Sequence, residues 1–192
     1  IDSIMPSVGD RTMATSVLLS PVHWIPVMPA CATPAPVSSP AKTWLDGGGM
    51  FGVVPKPLWE RRIKPDERNR IQLGMRCLVI EHESGIVLVD TGSGNKETAK
   101  FHDIYGIENA GANGRTLLED GLSQIGVRPE DVSIVIDTHL HFDHCGGNTY
   151  VDGGGAVQLS FPNARYVVQR GEWVYATHTN ERTAASYFAP NF

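Results

Sequence analysis

Cysteine is scarce in this chain. The three present, Cys31, Cys77 and Cys145, are an odd number with no Cys-x-x-Cys spacing, so no disulfide framework is implied. Long apolar runs are missing too: nothing approaches the ~20 residues that a bilayer-spanning helix requires, so no membrane partner is expected. Basic residues do not cluster beyond Glu60-Arg61-Arg62-Ile63-Lys64, a solvated loop. With a formal net charge of −5, nucleic acid is a poor partner. No internal repeat is visible. What remains is 41% hydrophobic and 19% charged residues, the composition of a soluble globular domain.

Proline is distributed unevenly. Seven of the 13 prolines lie in the first forty residues, where they leave little room for helix or regular sheet. Residues 1–42 are therefore expected to form a loosely ordered leader and residues 43–192 the organised domain. An export signal would need Arg11, the apolar stretch Ala14–Leu19 and the small residues Ala30-Cys31-Ala32 to act together. Ser20, Pro21, His23 and Pro26 interrupt that core. A cytoplasmic protein is expected rather than a secreted or periplasmic one.

Beyond Thr43 the pattern alternates between strands and helices, which indicates a layered α/β domain. Met75–His82 and Ile86–Asp90 read as a hairpin around Glu83-Ser84-Gly85. Thr116–Gly126 reads as an amphipathic helix with Leu118, Leu122 and Ile125 on one face and Gly126 at its end. Val132–Ile136 reads as a buried strand and Ala164–Gln169 as another. Arg170–Thr177 reads as a helix with Trp173 facing inward. Gly47-Gly48-Gly49-Met50-Phe51-Gly52 matches the Gly-x-Gly-x-x-Gly dinucleotide pattern, but Pro55 and Pro57 forbid the long helix that pattern needs. The glycines are expected to form a flexible turn. Met50, Phe51 and Trp59 suit either an apolar wall or core packing. Cys77 is expected in the core.

The ten residues from Thr138 to Gly147 stand apart. They contain His139, His141, Asp143 and His144 in a His-x-His-x-Asp-His spacing, directly after an apolar strand. Three imidazoles and a carboxylate suit a zinc-class ion. His139 and His141, two apart, leave an extended segment on the same side. Asp143 and His144 are adjacent, so their side chains are expected to diverge and to serve a second ion nearby. Gly146 and Gly147 let the backbone pass close to the site. The spacing implies a two-metal centre holding hydroxide between ions ~3.5–4 Å apart. Cys145 touches this loop, where filling space is a simpler role than soft ligation.

The string Thr138-His-Leu-His-Phe-Asp-His-Cys-Gly-Gly-Asn148 resembles the metal-binding signature of the metallo-β-lactamase-fold hydrolases, most closely the branch of the N-acyl-homoserine-lactone lactonases. Leu88-Val89-Asp90-Thr91-Gly92 resembles that family's strand-ending Asp-Thr-Gly. Phe161–Gln169 with Glu172-Trp173 resembles the strand and helix after the metal loop. The resemblance implies an αββα sandwich, of which this chain holds mainly the first half. It implies that His139 and His141 bind the first metal, and that Asp143 and His144 bind the second. Asp143 would also orient the attacking water as the catalytic carboxylate, while Asp90 would support the loop by hydrogen bonding. Two zinc ions are implied per complete domain, with other divalent ions as substitutes. The family's remaining ligands would lie beyond Phe192, so the chain is expected to be an incomplete, amino-terminal portion that is inactive alone. His178 does not match a ligand position and is expected at the surface or a pocket rim. The implied activity is metal-dependent hydrolysis of a small-molecule lactone or other ester. The alternatives are a thioesterase or phosphodiesterase of the same fold, or a metal-binding fragment without catalysis.

Overall fold

The computed structural model describes the backbone of residues 22–26 and residues 41–192. Arg11, Ala14–Leu19 and Cys31 lie outside the described residues. The main sheet has five strands in the order β1-β4-β5-β6-β9: Val22–Pro26, Arg76–His82, Gly85–Val89, Val132–Ile136 and Arg165–Val167. β1, β4 and β5 pair antiparallel, whereas β5, β6 and β9 pair parallel. Two smaller pairs accompany it, β2 (Lys42–Asp46) with β3 (Arg70–Gly74), and β7 (Thr149–Val151) with β8 (Val157–Leu159).

The alternation of strand residues decides where the core sits. Cys77 and Val79 on β4 and Leu88 on β5 turn to one face, where they are fully buried with Phe142, Phe161 and Leu118. Val132 and Val135 on β6 join them, although an odd spacing should place them on opposite faces. A register shift between β5 and β6, at Ile86/Val87, absorbs the extra residue. The helix over this face is α4 (Leu117–Gln124), in register with the sequence expectation. Thr116 caps it, accepting the Glu119 N–H, while the Glu119 carboxylate accepts the Thr116 N–H, a capping box. Leu118 and Leu122 are buried.

Several expectations need correction. Val22–Pro26 is a strand where proline content suggested none. It lies at the sheet edge and ends on Pro26, where a missing N–H costs least. The glycines at 47–49 form a one-turn helix, α1 (Gly47–Phe51), because Asp46 caps it by accepting the Gly49 N–H at 2.7 Å. Gly47 is needed there, since a Cβ would stand 2.5 Å from the Trp59 ring. Phe51 stacks on buried Trp59 while Met50 is exposed. Ile125 is 39% exposed, because α4 ends before it completes the apolar face. Helix α6 (Arg170–Thr177) spans the expected residues, yet Trp173 is 46% exposed and Ala176 is the buried residue. Cys77 is a core residue, as expected. Among the described residues no helix is long and apolar enough to cross a membrane.

The parallel half of the sheet positions the loop of interest. β5, β6 and β9 all end at one edge, and open α/β sheets offer their crevices there. Asp90 follows β5, Asp137-Thr138-His139 follows β6, and α6 follows β9.

Candidate metal centre

The loop after β6 alternates between buried and half-buried residues. Leu140, Phe142 and Cys145 turn inward and are buried, while His139, His141, Asp143 and His144 remain half-buried. Phe142–Cys145 is a single helical turn, α5. Apolar anchors thus hold the backbone from below and turn the four donor side chains the other way. Cys145 fills space, and burial raises its thiol pKa far above the usual range.

The three imidazoles cluster. The ring centroids of His139 and His141 are 4.6 Å apart, and those of His139 and His144 are 3.9 Å apart. Asp143 and His144 do not diverge as their adjacency suggested. The turn of α5 brings Asp143 Oδ2 to 3.6 Å from His144 Nε2. Two ligands on one tetrahedral zinc, each about 2.0–2.1 Å from the ion, stand about 3.3–3.4 Å apart. The donor chemistry and this pair therefore fit a divalent ion. Among the described residues, no group of three or more His, Cys, Asp or Glu closes into a metal-holding arrangement. The rings pack against one another instead.

Asp90 sets the tautomers. It adopts φ 58° at the end of β5, an uncommon conformation for a residue with a Cβ. Its Oδ2 accepts the His144 Nδ1–H at 2.8 Å. Asp90 Oδ1 accepts the Thr138 N–H at 2.8 Å, and Oδ2 accepts the Thr138 hydroxyl at 2.8 Å. With its proton committed to Asp90, Thr138 Oγ1 accepts from His139 Nδ1 at 3.2 Å. Both His139 and His144 thereby keep Nε2 as the free nitrogen, the second-sphere device common to metal-ligating imidazoles. Burial alone would raise the Asp90 pKa, but hydrogen bonds from His144 and Thr138 hold it below the ordinary range. Burial and neighbouring imidazoles lower His139, and burial lowers His141. Both are kept in the neutral form that a metal requires. His144 moves the other way: burial pulls it down, and the Asp90 hydrogen bond with the Asp143 charge more than offsets that.

The far side of the loop is fastened to the Asp90-Thr91-Gly92 turn through backbone. Thr91 N–H donates to His144 O at 2.7 Å and Gly147 N–H to Gly92 O at 3.0 Å. Close approach, not positive φ, explains Gly146 and Gly147. A Cβ at Gly146 would stand 2.5 Å from Ser93 O, and one at Gly147 would stand 2.2 Å from Thr91 O. Thr91 Oγ1 donates to Asn148 Oδ1, and Asn148 Nδ2 to Asp137 Oδ2, both at 2.9 Å. Burial pushes Asp137 up to about 6, against that hydrogen bond. Lys96 Nζ donates to Gly146 O and, at 2.7 Å, to Thr149 O. On the near side, Glu172 Oε1 accepts the Leu140 N–H at 2.8 Å. Lys96 and Asp137 carry no local sequence signal for these roles. Glu172 does, through its place in the family-like string. His178 is exposed at the end of α6, with Nδ1 3.0 Å from Val174 O.

A mixed sheet whose parallel edge carries a histidine-rich loop defines the class, and comparison with known proteins agrees. The Metallo-beta-lactamase superfamily pattern matches residues 75–160. That stretch of the chain carries the superfamily's pattern, and the relatives it resembles are consistent with the lactonase-like branch. It is 36% identical over 121 residues to an N-acyl homoserine lactonase of Bacillus cereus, covering 59% of this chain and 43% of that protein. A probable metal-dependent hydrolase from Staphylococcus aureus superposes with a TM-score of 0.71 at 31% identity, over 89% of this chain and 54% of that one. A quorum-quenching N-acyl homoserine lactone lactonase superposes with a TM-score of 0.55 at 24% identity, over 90% of this chain and 53% of that one, a likeness of fold alone. The chain spans about half the length of the proteins it matches.

Proposed function

We propose that residues 43–192 form the amino-terminal part of a metallo-hydrolase that opens a lactone or other small ester. In this reading His139 and His141 hold one divalent ion, and Asp143 and His144 hold a second, both zinc in the whole protein. The observation that carries the reading is the Asp90 network, which leaves Nε2 of His139 and of His144 free on a cluster that also contains Asp143. When bound, the ions supply Lewis acidity and a water whose pKa falls from ~16 to near 7. The chain's own part is positional and protonic. His139 and His141 stay neutral and present nitrogen lone pairs. Asp143 orients the attacking water and takes its proton on the carboxylate. Asp90 holds the His144 ring through Nδ1 and sets His139 through Thr138.

The likeness to a Bacillus cereus N-acyl homoserine lactonase makes lactones the first substrate class to try. A thioester or phosphodiester of the same size is the next. A second reading, metal binding without turnover, is kept because the chain covers 43% of the length of the lactonase it matches. Zinc uptake by the chain, measured by metal analysis after dialysis, tests the shared part of both. The double variant H141A/D143A is expected to lose at least 100-fold in zinc affinity while its circular dichroism stays that of the parent. Undiminished zinc content in that variant would overturn the site. Lactone opening followed by pH-stat in a zinc-loaded protein that includes this chain separates the two readings.

A further inference from the structure

Asp90 accounts for two of the three imidazoles in the loop, and His141 is held by other means. Its ring meets Tyr187 edge-on, with centroids 4.7 Å apart at an interplanar angle of 73°. The Tyr187 hydroxyl donates to Glu172 Oε1 at 3.0 Å. That same oxygen accepts the Leu140 N–H at 2.8 Å, from the residue just before His141. Leu140 and Tyr187 are both buried, in a small cluster with Cys145 and Ala176 directly beneath the loop. Glu172 itself sits in the first turn of α6, so the helix after β9 is coupled to the loop after β6 through one carboxylate oxygen.

We propose that Glu172 is the positioning residue for His141. Its Oε1 fixes the backbone that enters His141 and also the aromatic ring that packs on it. A buried amide such as that of Leu140 needs an acceptor, and Glu172 provides one from a different element. A carboxylate is the strong choice for two donors at once. The effect passes through neighbours, since Glu172 is hydrogen-bonded to Leu140 and Tyr187 and not to the imidazole. The proposal rests on the reading that His141 holds a divalent ion.

The test combines zinc competition against a chromophoric chelator with hydrogen exchange at the Leu140 amide in the metal-free chain. E172A is expected to speed Leu140 exchange and to weaken zinc binding about tenfold, the lower end for outer-sphere partners of metal ligands. E172Q keeps an acceptor at the same place and is expected to restore most of both. Y187F removes only the hydroxyl, leaves the Leu140 bond, and is expected to weaken zinc about twofold to threefold, below the ~10-fold to 100-fold range for direct outer-sphere partners. Parent-like zinc affinity together with parent-like Leu140 exchange in E172A overturns the proposal. Should E172A fail to fold, parent-like zinc affinity in Y187F overturns it, and weakened affinity upholds it. A parent chain that takes up no zinc overturns the metal reading itself, and the proposal with it.

Discussion

The amino-terminal flank of the metal loop is tied down by carboxylates from other elements, whereas its carboxyl-terminal flank is in addition pressed directly against another backbone segment. Around His139 and Leu140 the fastenings are Asp90 and Glu172, each a single side chain reaching from another element. Around His144–Asn148, side-chain bonds from Asp90, Thr91, Asp137 and Lys96 are joined by main-chain hydrogen bonds to Thr91 and Gly92, with glycines at the points of closest approach. A side-chain tie can be removed or retuned while the chain path stays intact. A backbone tie at that distance tolerates almost no change, because a neighbouring carbonyl cannot move aside as a flexible side chain can.

The largest effect should come from Gly147→Ala. Its Cβ would lie 2.2 Å from Thr91 O, and we expect a loss of about 3 kcal/mol or failure to fold, read by urea unfolding. Near-parent stability would erase the contrast between the flanks. Asp90→Ala should leave a folded protein but strand the Thr138 N–H and the His144 Nδ1–H. We expect about 2 kcal/mol of lost stability and a loss of zinc affinity between about 10-fold and 100-fold. If its zinc affinity falls no further than its stability predicts, Asp90 is a structural tie only. The smallest effect should come from Asp131→Asn, ahead of β6. Arg128 binds this carboxylate at 2.6 and 3.0 Å and holds its pKa down to about 2 from 3.8. A depressed carboxylate stabilises above its unfolded value and loses that contribution as pH falls through its folded value. The variant should therefore flatten the acid limb of stability between about pH 4 and pH 2 and change little at pH 7. Zinc binding should be untouched.

Much of this was legible in the sequence for local reasons. The hairpin of β4 and β5, the capped helix α4 and the four donors after β6 rest on patterns within a dozen residues, where periodicity and capping chemistry act directly. The glycines at 47–49 misled, because the cap from Asp46 and the Trp59 ring that demands Gly47 both lie outside the motif. Trp173 misled because one large apolar side chain on a short helix does not reveal which face the fold covers. Asp143 and His144 were expected to diverge from extended-chain geometry, and a single helical turn brought them together. Lys96 and Tyr187 act over 53 and 46 residues, at Thr149 and His141, and no spacing rule reaches that far.

The register shift between β5 and β6 has a consequence for the loop beyond it. Strand residues change sides one by one, so the phase in which β6 leaves the sheet fixes which of His139 and Leu140 meets the crevice. A slip of one position would point Leu140 outward and sink His139 into the apolar floor. That phase is guarded at the other end of the strand, where a Cβ at Gly85 would collide with Ser133 Oγ at 2.2 Å. A glycine far from any donor atom thereby helps decide that the imidazoles face the solvent.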